Sequence, residues 1–263
     1  MVLDRIAPTR RPDGRVGGYQ KWRSLLFLHW PVPVDLLRSL VPSSLEIDQF
    51  DGVAYAGVVP FAMEQVRPNW LPAALAFNFL ETNVRTYVHR NGQPGVYFFS
   101  LEAASALAVW AAREFWGLPY HYAKMSFERE SNGAGRVGRD PRAGNAQLGD
   151  FDEGDTLCYR SARRGSDASH HVRYRIGERI DTTSPDSLEF FFLERYLLYV
   201  QRKNKTYMGQ VHHSPYPAHL AHVLDVDDHL LQAAGIDTLG QAPEFAHFSP
   251  GVDVEIFDLK VAK

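Results

Sequence analysis

WAAREFWGLPYHYAKMSF, residues Trp110–Phe127, carries a helix into a strand. Ala104–Phe115 is apolar and rich in good helix formers, which predicts a mostly buried helix. Arg113 and Glu114 fall in its last turn. Gly117 is the helix stop, and Pro119 forbids resumption. From Tyr120 to Arg129 the composition turns strand-like. Alternation then puts Tyr120, Tyr122 and Lys124 on one face, and His121, Ala123, Met125 and Phe127 on the other. Lys124, flanked by two aromatic hydroxyls, is either a tuned amine or an ordinary solvated strand lysine.

Upstream, ETNVRTYVHR (Glu81–Arg90) and VYFFSLEA (Val96–Ala103) form a hairpin across NGQPG. Glu81, Asn83, Arg85 and Tyr87 share one face; Thr82, Val84, Thr86 and Val88 form the packing face. The polar row reads either as solvent-facing decoration or as the wall of a polar cavity. In the second reading Arg85 clamps a carboxylate through two parallel hydrogen bonds. Ser24–Trp30 is a short apolar strand ended by Pro31 and Pro33. Val34–Leu40 is a short helix stopped at Pro42. Leu45–Phe50 and Val53–Phe61 form a hairpin around Asp51-Gly52. Pro60 and the Pro68–Pro72 segment around Trp70 make a rigid exposed loop or lid.

Downstream, the Gly-rich stretch Ser131–Gly154 is a mobile hairpin loop. Thr156–Ser161 and His171–Glu178 are strands. A helix from Ser187 to Glu194 is capped by Ser184 or Asp186. Arg195–Gln201 pairs with Tyr207–Ser214. Asp227–Ala234 is a helix ending at Gly235, and Glu244–Val261 holds a terminal strand. Residues 1–20 are a flexible lead-in, and residues 21–263 form one domain. About ten short strands and a few helices define an α+β, β-rich fold.

Composition narrows the function. The 263 residues are 45% hydrophobic and 13% aromatic, which suits a β-rich fold with a lined cavity. A net charge of -3 gives no nucleic-acid surface. Cys158 is the single cysteine, so no intramolecular disulfide forms, as in a reducing cytosol. The N-terminal stretch lacks an apolar signal core, and no run of 18 apolar residues exists, so a cytoplasmic protein is expected. His212 and His213 point to opposite strand faces, as do His170 and His171, and no HxH or HExxH pattern appears; no metal is expected. His29, His121 and His247 read as structural histidines. The acids Asp140, Asp150, Asp152, Glu153 and Asp155 do not fit an EF-hand loop. Glu194-Arg195-Tyr196 reads as an ion pair fixing a helix-to-strand joint. No nucleophile elbow, P-loop or dinucleotide fingerprint is present, so no cofactor is expected.

Several stretches together resemble the YqjF-like family, a bacterial family of unknown function. They are FLHWPVP (Phe27–Pro33), FDGVAYAGVVPF (Phe50–Phe61), NVRTYV (Asn83–Val88) and PGVYFFSLEAAS (Pro94–Ser105). GLPYHYAKM (Gly117–Met125), FFLERYLLY (Phe191–Tyr199), VHHSPYP (Val211–Pro217) and HFSPGVDV (His247–Val254) complete the set. That family is similar in fold to acetoacetate decarboxylase, which implies a closed or cone-like antiparallel β-barrel with peripheral helices and a central pocket. The shared motif stands here as Arg113, Glu114, Gly117 and Pro119. In the decarboxylase two lysines follow the proline, and the first forms a Schiff base with substrate. Here those positions are Tyr120 and His121, which argues against acetoacetate decarboxylation by that route. Lys124 is the nearest amine, about 13 Å further along a straight strand.

Three readings follow. In the first, an enzyme acts on a small carbonyl or carboxylate compound. Arg85 holds the carboxylate, with Glu81, Tyr87 and Glu114 as further substrate-binding candidates. Tyr120 and His121 are acid–base candidates and Lys124 a relocated amine. Tyr120 and His121 face opposite sides, so only one enters the pocket, and Tyr120 holds the position of the decarboxylase nucleophile. In the second reading the same pocket binds a small molecule without chemistry. In the third the aromatic segments are the interface of a homo-oligomer. No membrane or nucleic-acid partner is expected.

Overall fold

Three strands in the first third of the chain carry unbroken runs of buried residues rather than a simple alternation. They are β1 (Val16–Val32), β3 (Ala54–Pro68) and β4 (Phe77–Arg90). A strand buried on both faces needs packed material on both sides. Leu26, Leu28, Ala56, Val58, Val84 and Val88 pack into one hydrophobic cluster. The alternate residues Leu25, Phe27, Tyr55, Val59, Phe61 and Tyr87 pack into a second. These strands therefore form a wall between two interiors.

The computed structural model describes residues 3–130, 136–139, 151–202 and 205–262. Between the wall strands lie α1 (Val34–Leu40) and β2 (Glu46–Ile47). Next come β5 (Gln93–Ala103), α2 (Ala106–Ala111), β6 (Tyr120–Glu130), β7 (Arg136–Arg139), β8 (Thr156–Arg163) and β9 (Ser169–Ile180). The chain continues through α3 (Leu188–Leu193), β10 (Leu197–Arg202), β11 (Lys205–His212), β12 (Ala218–Asp228), α4 (Leu230–Ala233), β13 (Phe245–Phe257) and β14 (Lys260–Val261).

Pairing runs β5-β4-β3-β1-β13-β12-β9-β8-β6 and returns to β5, a ring of nine strands among the described residues. The ring is uneven. β1 and β13 pair along most of their length, whereas β12 meets β13 at two positions and β6 meets β5 at three, in parallel. The fold is β-rich with few helices, as expected, but the sheet does not close as a regular barrel. The ring's interior is filled by side chains such as Met125, Phe127, Tyr159, Tyr174 and Phe248. On the other side of the wall, β10 joins β5 and β11 joins β13, and α3 packs its Phe191, Phe192 and Leu193 there. The cavity described below lies on this second side.

Several boundaries differ from expectation. The strand expected at Ser24–Trp30 extends from Val16 to Val32, and Pro31 sits within it opposite Tyr55. The lead-in expected over residues 1–20 overlaps this strand and is tied down earlier by Arg5, whose guanidinium donates to both oxygens of Asp48. The expected hairpin around Asp51-Gly52 is only a bridge between Phe50 and Val53; β2 pairs with β4 instead. Pro60 lies inside β3. The helix expected over Ala104–Phe115 is split into α2 and a π turn at Ala112–Trp116, and Leu107 and Trp110 are exposed rather than buried. Ser187, not Ser184 or Asp186, caps α3 by accepting from the Phe190 amide at 3.1 Å. β12, in AHLAHVLDVDD, was not expected as a strand. Most of the Gly-rich stretch expected as a loop lies outside the described residues, at 131–135 and 140–150; β7 within it pairs with β6. No helix among the described residues is long and apolar enough to cross a membrane.

Candidate functional site

β4 supplies one face of a cavity of about 590 Å³, presenting Phe77, Phe79, Glu81, Asn83 and Arg85 in strict alternation. Tyr120 enters from β6, which lies beyond β5 in the sheet. Gly117 turns the chain at φ 65, and the Pro119 carbonyl accepts from the Leu101 amide at 3.0 Å, so β6 starts alongside β5. Arg113 Nε donates to the Tyr120 carbonyl at 2.6 Å and fixes this joint.

The Tyr120 hydroxyl donates to Glu81 Oε2 at 2.7 Å, and both side chains are buried. Burial pushes the Glu81 carboxyl up to about 8; the Tyr120 hydrogen bond works against this, and Glu102 adds to it. Burial and the Glu81 charge push the Tyr120 phenol well above its ordinary value. Tyr159 donates to the Glu81 carbonyl at 2.9 Å and pins the backbone from the opposite face. Glu81 is therefore a carboxylic acid at neutral pH, in contact with a phenol, at a buried part of the cavity lining. Such a pair can give a proton to a bound oxygen and take one back.

Further along the same face, Arg85 Nη2 donates to the Phe192 carbonyl at 3.0 Å and to the Tyr87 hydroxyl at 3.4 Å. Arg85 Nε has no partner, and no carboxylate pairs with this guanidinium among the described residues. The Asn83 Oδ1 is also buried without a partner. Arg195 reaches the cavity from the end of α3. Its Nε donates to the Phe191 carbonyl at 2.6 Å, its Nη1 to Asp48 Oδ2 at 2.7 Å, and its Nη2 has no partner. The carbonyls at the C-terminal end of α3 are the ones a helix leaves unsatisfied, and they favour cations. Burial brings the Arg195 guanidinium down to about 10. Burial works to raise the Asp48 carboxyl, but Arg5 and Arg195 together hold it below its ordinary value. Two guanidiniums thus share one carboxylate, and Arg85 adds a further charge without an anion. Burying unpaired charge costs several kcal/mol, a cost that an anionic ligand offsets.

The other sequence candidates lie elsewhere. Tyr87 is fully buried and outside the cavity lining, packed against Phe191 and Phe192, with its hydroxyl 2.6 Å from His29 Nε2 and donating to the Phe192 carbonyl at 3.0 Å. His121 is half-buried on the face of β6 opposite Tyr120 and outside the cavity lining; burial, then Arg163 and Arg113, bring its imidazole down to about 4. Lys124 is exposed. β6 touches β5 only from Tyr120 to Tyr122 and then runs with β8, which carries Lys124 away from the cavity to lie opposite Ala162. Glu114 is exposed on the π turn, outside the lining. The cavity lining contains Arg67, Arg85 and Arg195, and no lysine among the described residues.

The joint at Glu194-Arg195-Tyr196 is not the expected ion pair. Arg195 pairs with Asp48, while Glu194 accepts from the Tyr196 hydroxyl at 2.5 Å and the Tyr216 amide at 2.9 Å. Arg195 and Tyr216 as cavity residues were missed. The only signal for Arg195 was the charged pair Glu194-Arg195 following the buried FFL run, since its partner Asp48 lies 147 residues away. No group of three or more His, Cys, Asp or Glu side chains among the described residues is placed to hold a metal ion.

This β-rich fold with few helices is similar to that of solved acetoacetate decarboxylase-like proteins. An acetoacetate decarboxylase-like enzyme from Sphingomonas wittichii RW1 superimposes with a TM-score of 0.63 at 13% identity, covering 95% of this chain and 94% of that one. The enduracididine biosynthesis enzyme MppR, solved in complex with pyruvate, superimposes with a TM-score of 0.60 at 12% identity, covering 96% and 93%. Within this class the chain belongs to DUF2071, a family described as an uncharacterized conserved protein, which matches residues 19–253. The uncharacterized protein YqjF of Bacillus subtilis (strain 168) is 37% identical over 251 residues, spanning 95% of this chain and 94% of that protein.

Proposed function

We propose that the cavity binds a small compound carrying a carboxylate or carbonyl group, and that Glu81 and Tyr120 transfer protons on it without a Schiff base. The observation that carries this reading is the buried Tyr120–Glu81 hydrogen bond, on the same cavity face as a guanidinium that lacks an anion. Arg85 and Arg195 both line the cavity, and their guanidiniums are the groups left to take a ligand carboxylate. A carbonyl beside that carboxylate develops negative charge on oxygen when a neighbouring carbon loses a proton. The Glu81 acid, with Tyr120 in contact, gives its proton to that oxygen, and the carboxylate so formed takes the proton from the carbon, so the keto and enol forms interconvert and Glu81 ends as the acid again. The reaction class is proton transfer at or next to a carbonyl: enolisation, hydration–dehydration or aldol chemistry. The pyruvate in the MppR structure is a compound of this class, bound by a protein of the same fold. The resemblance drawn from the sequence implies that Tyr120 stands where the decarboxylase keeps its amine, and Lys124 is exposed and outside the cavity lining.

The test is deuterium uptake at the α-carbon of a panel of 2-oxo and 3-oxo acids in D2O, followed by proton NMR. Saturable exchange that falls by about two to four orders of magnitude in Glu81→Gln is the expected result. Borohydride added to the same mixtures should give no site-specific lysine adduct; an adduct would overturn the imine-free route. A second reading, binding without chemistry, is favoured by the aromatic lining of Trp22, Phe27, Phe61, Phe79 and Trp116. Saturable binding of panel members without exchange or turnover would establish it.

A further inference from the structure

The cavity is much larger than the compounds that its polar groups would recognise. Its volume of about 590 Å³ equals on the order of 20 waters at about 30 Å³ each. A three-carbon oxo acid would leave most of it empty. The space is also graded along β4. Arg85 is 8% exposed and Glu81 3%, whereas Phe77 at the far end is 43% exposed. From Arg85 to Phe77 the strand covers eight residues, roughly 27 Å if straight. Past Glu81 the same face carries only Phe79 and Phe77. Leu107 of α2, 53% exposed, and Trp70, 75% exposed, are the two most exposed large apolar residues of the lining. Large apolar side chains at the open end of a cavity whose closed end is cationic describe an amphipathic occupant.

We infer that the ligand is a carboxylate with an extended apolar tail, its head at Arg85 and Arg195 and its tail running along Phe79 and Phe77 to Leu107 and Trp70. This rests on the reading that Arg85 takes an anion and adds what lies beyond it. Three independent observations support it. Arg85 and Arg195 are the buried guanidiniums of the lining, whereas Arg67, next to the residue that pairs with Phe77, lays its guanidinium over the Tyr19 ring. The apolar residues on β4 begin immediately after Glu81. The two most exposed large apolar residues of the lining come from separate segments, α2 and the Pro68–Leu75 connection, and both line this one cavity.

The experiment is calorimetric titration of the full chain with straight-chain carboxylates from acetate to decanoate, with decanol as the uncharged control. Burial of each methylene should tighten binding about three- to four-fold until the rim is reached. Decanoate should bind at least tenfold more tightly than decanol. Affinity that does not change with chain length overturns the tail while leaving the anion site standing. A chain-length gradient with decanol as tight as decanoate overturns the anion site instead. The rim is tested separately with Leu107→Asp, an exposed position where the substitution does not disturb packing. The ratio of decanoate to butyrate affinity should fall about tenfold. If that ratio is unchanged and light scattering shows a change in particle mass, the rim is a contact between copies and the inference fails.

Discussion

Replacing Glu81 by Gln should make the stability of this protein less sensitive to pH, in a direction fixed by the site. In the unfolded chain the carboxyl titrates near its ordinary value of 4.5; in the fold burial holds it at about 8. Between these values the folded state carries a proton that the unfolded state has released. The slope of stability against pH follows the difference in bound protons, so stability falls as pH rises through this window. Below about pH 4.5 the penalty is absent, and above about pH 8 it stops growing. Integrated from pH 5 to pH 9, the raised value costs roughly 4 kcal/mol. Glutamine has nearly the same shape, stays uncharged throughout and can still accept from the Tyr120 hydroxyl. Urea unfolding of both proteins at pH 5 and pH 9 gives the double difference directly. Glu81→Gln should gain roughly 4 kcal/mol relative to the parent on going from pH 5 to pH 9. A double difference near zero, or one of opposite sign, would refute the reasoning, because Glu81 would then be ionised at neutral pH.

Further outcomes test the surrounding structure. Asp48→Ala leaves the buried guanidinium of Arg195 without its carboxylate and should cost about 3–5 kcal/mol by denaturant unfolding; a loss below about 1 kcal/mol would show that Arg195 finds another partner. Gly117→Ala should destabilise by more than about 1 kcal/mol, since the position has φ 65 and an added Cβ would meet Arg202 Nε at 2.5 Å. Lys124→Ala should change thermal stability by less than about 0.5 kcal/mol and leave α-carbon exchange at the parent rate, because Lys124 is exposed away from the cavity lining; a large loss of exchange would return the amine to the chemistry.

Much of the local structure was legible because it depends on near neighbours. The period-two pattern of ETNVRTYV put Glu81, Asn83 and Arg85 on one face, and these three line one cavity. Gly117 and Pro119 marked the turn that delivers Tyr120 to β5. What the sequence hid is long-range. The strands β1, β3 and β4 are buried on both faces, so their apolar runs extend well beyond any alternation, and nothing local says that two interiors share them. Pro31 looked like a strand end but sits within β1, opposite Tyr55 of β3. Lys124 shares the alternation of Tyr120, yet β6 exchanges β5 for β8 as its neighbour within a few residues, and the face that began in the cavity ends in solvent. Arg195 gained its role from Asp48, a pairing 147 residues apart in the chain, together with the local carbonyl at Phe191. α2 looked buried because its residues are apolar; its Leu107 instead stands at the cavity's open end.

The central claim is that Glu81 is held as an acid in contact with Tyr120, facing a ligand cavity. Carbon-13 NMR of the Glu81 side-chain carboxyl, assigned with Glu81→Gln and followed from pH 4 to pH 10 in the full chain, tests it most directly. The account predicts a midpoint near 8 that rises further in Tyr120→Phe, since that hydroxyl favours the ionised form. A midpoint near 4.5 that ignores Tyr120→Phe would contradict it, leaving Glu81 an ordinary carboxylate and the cavity without its proton donor.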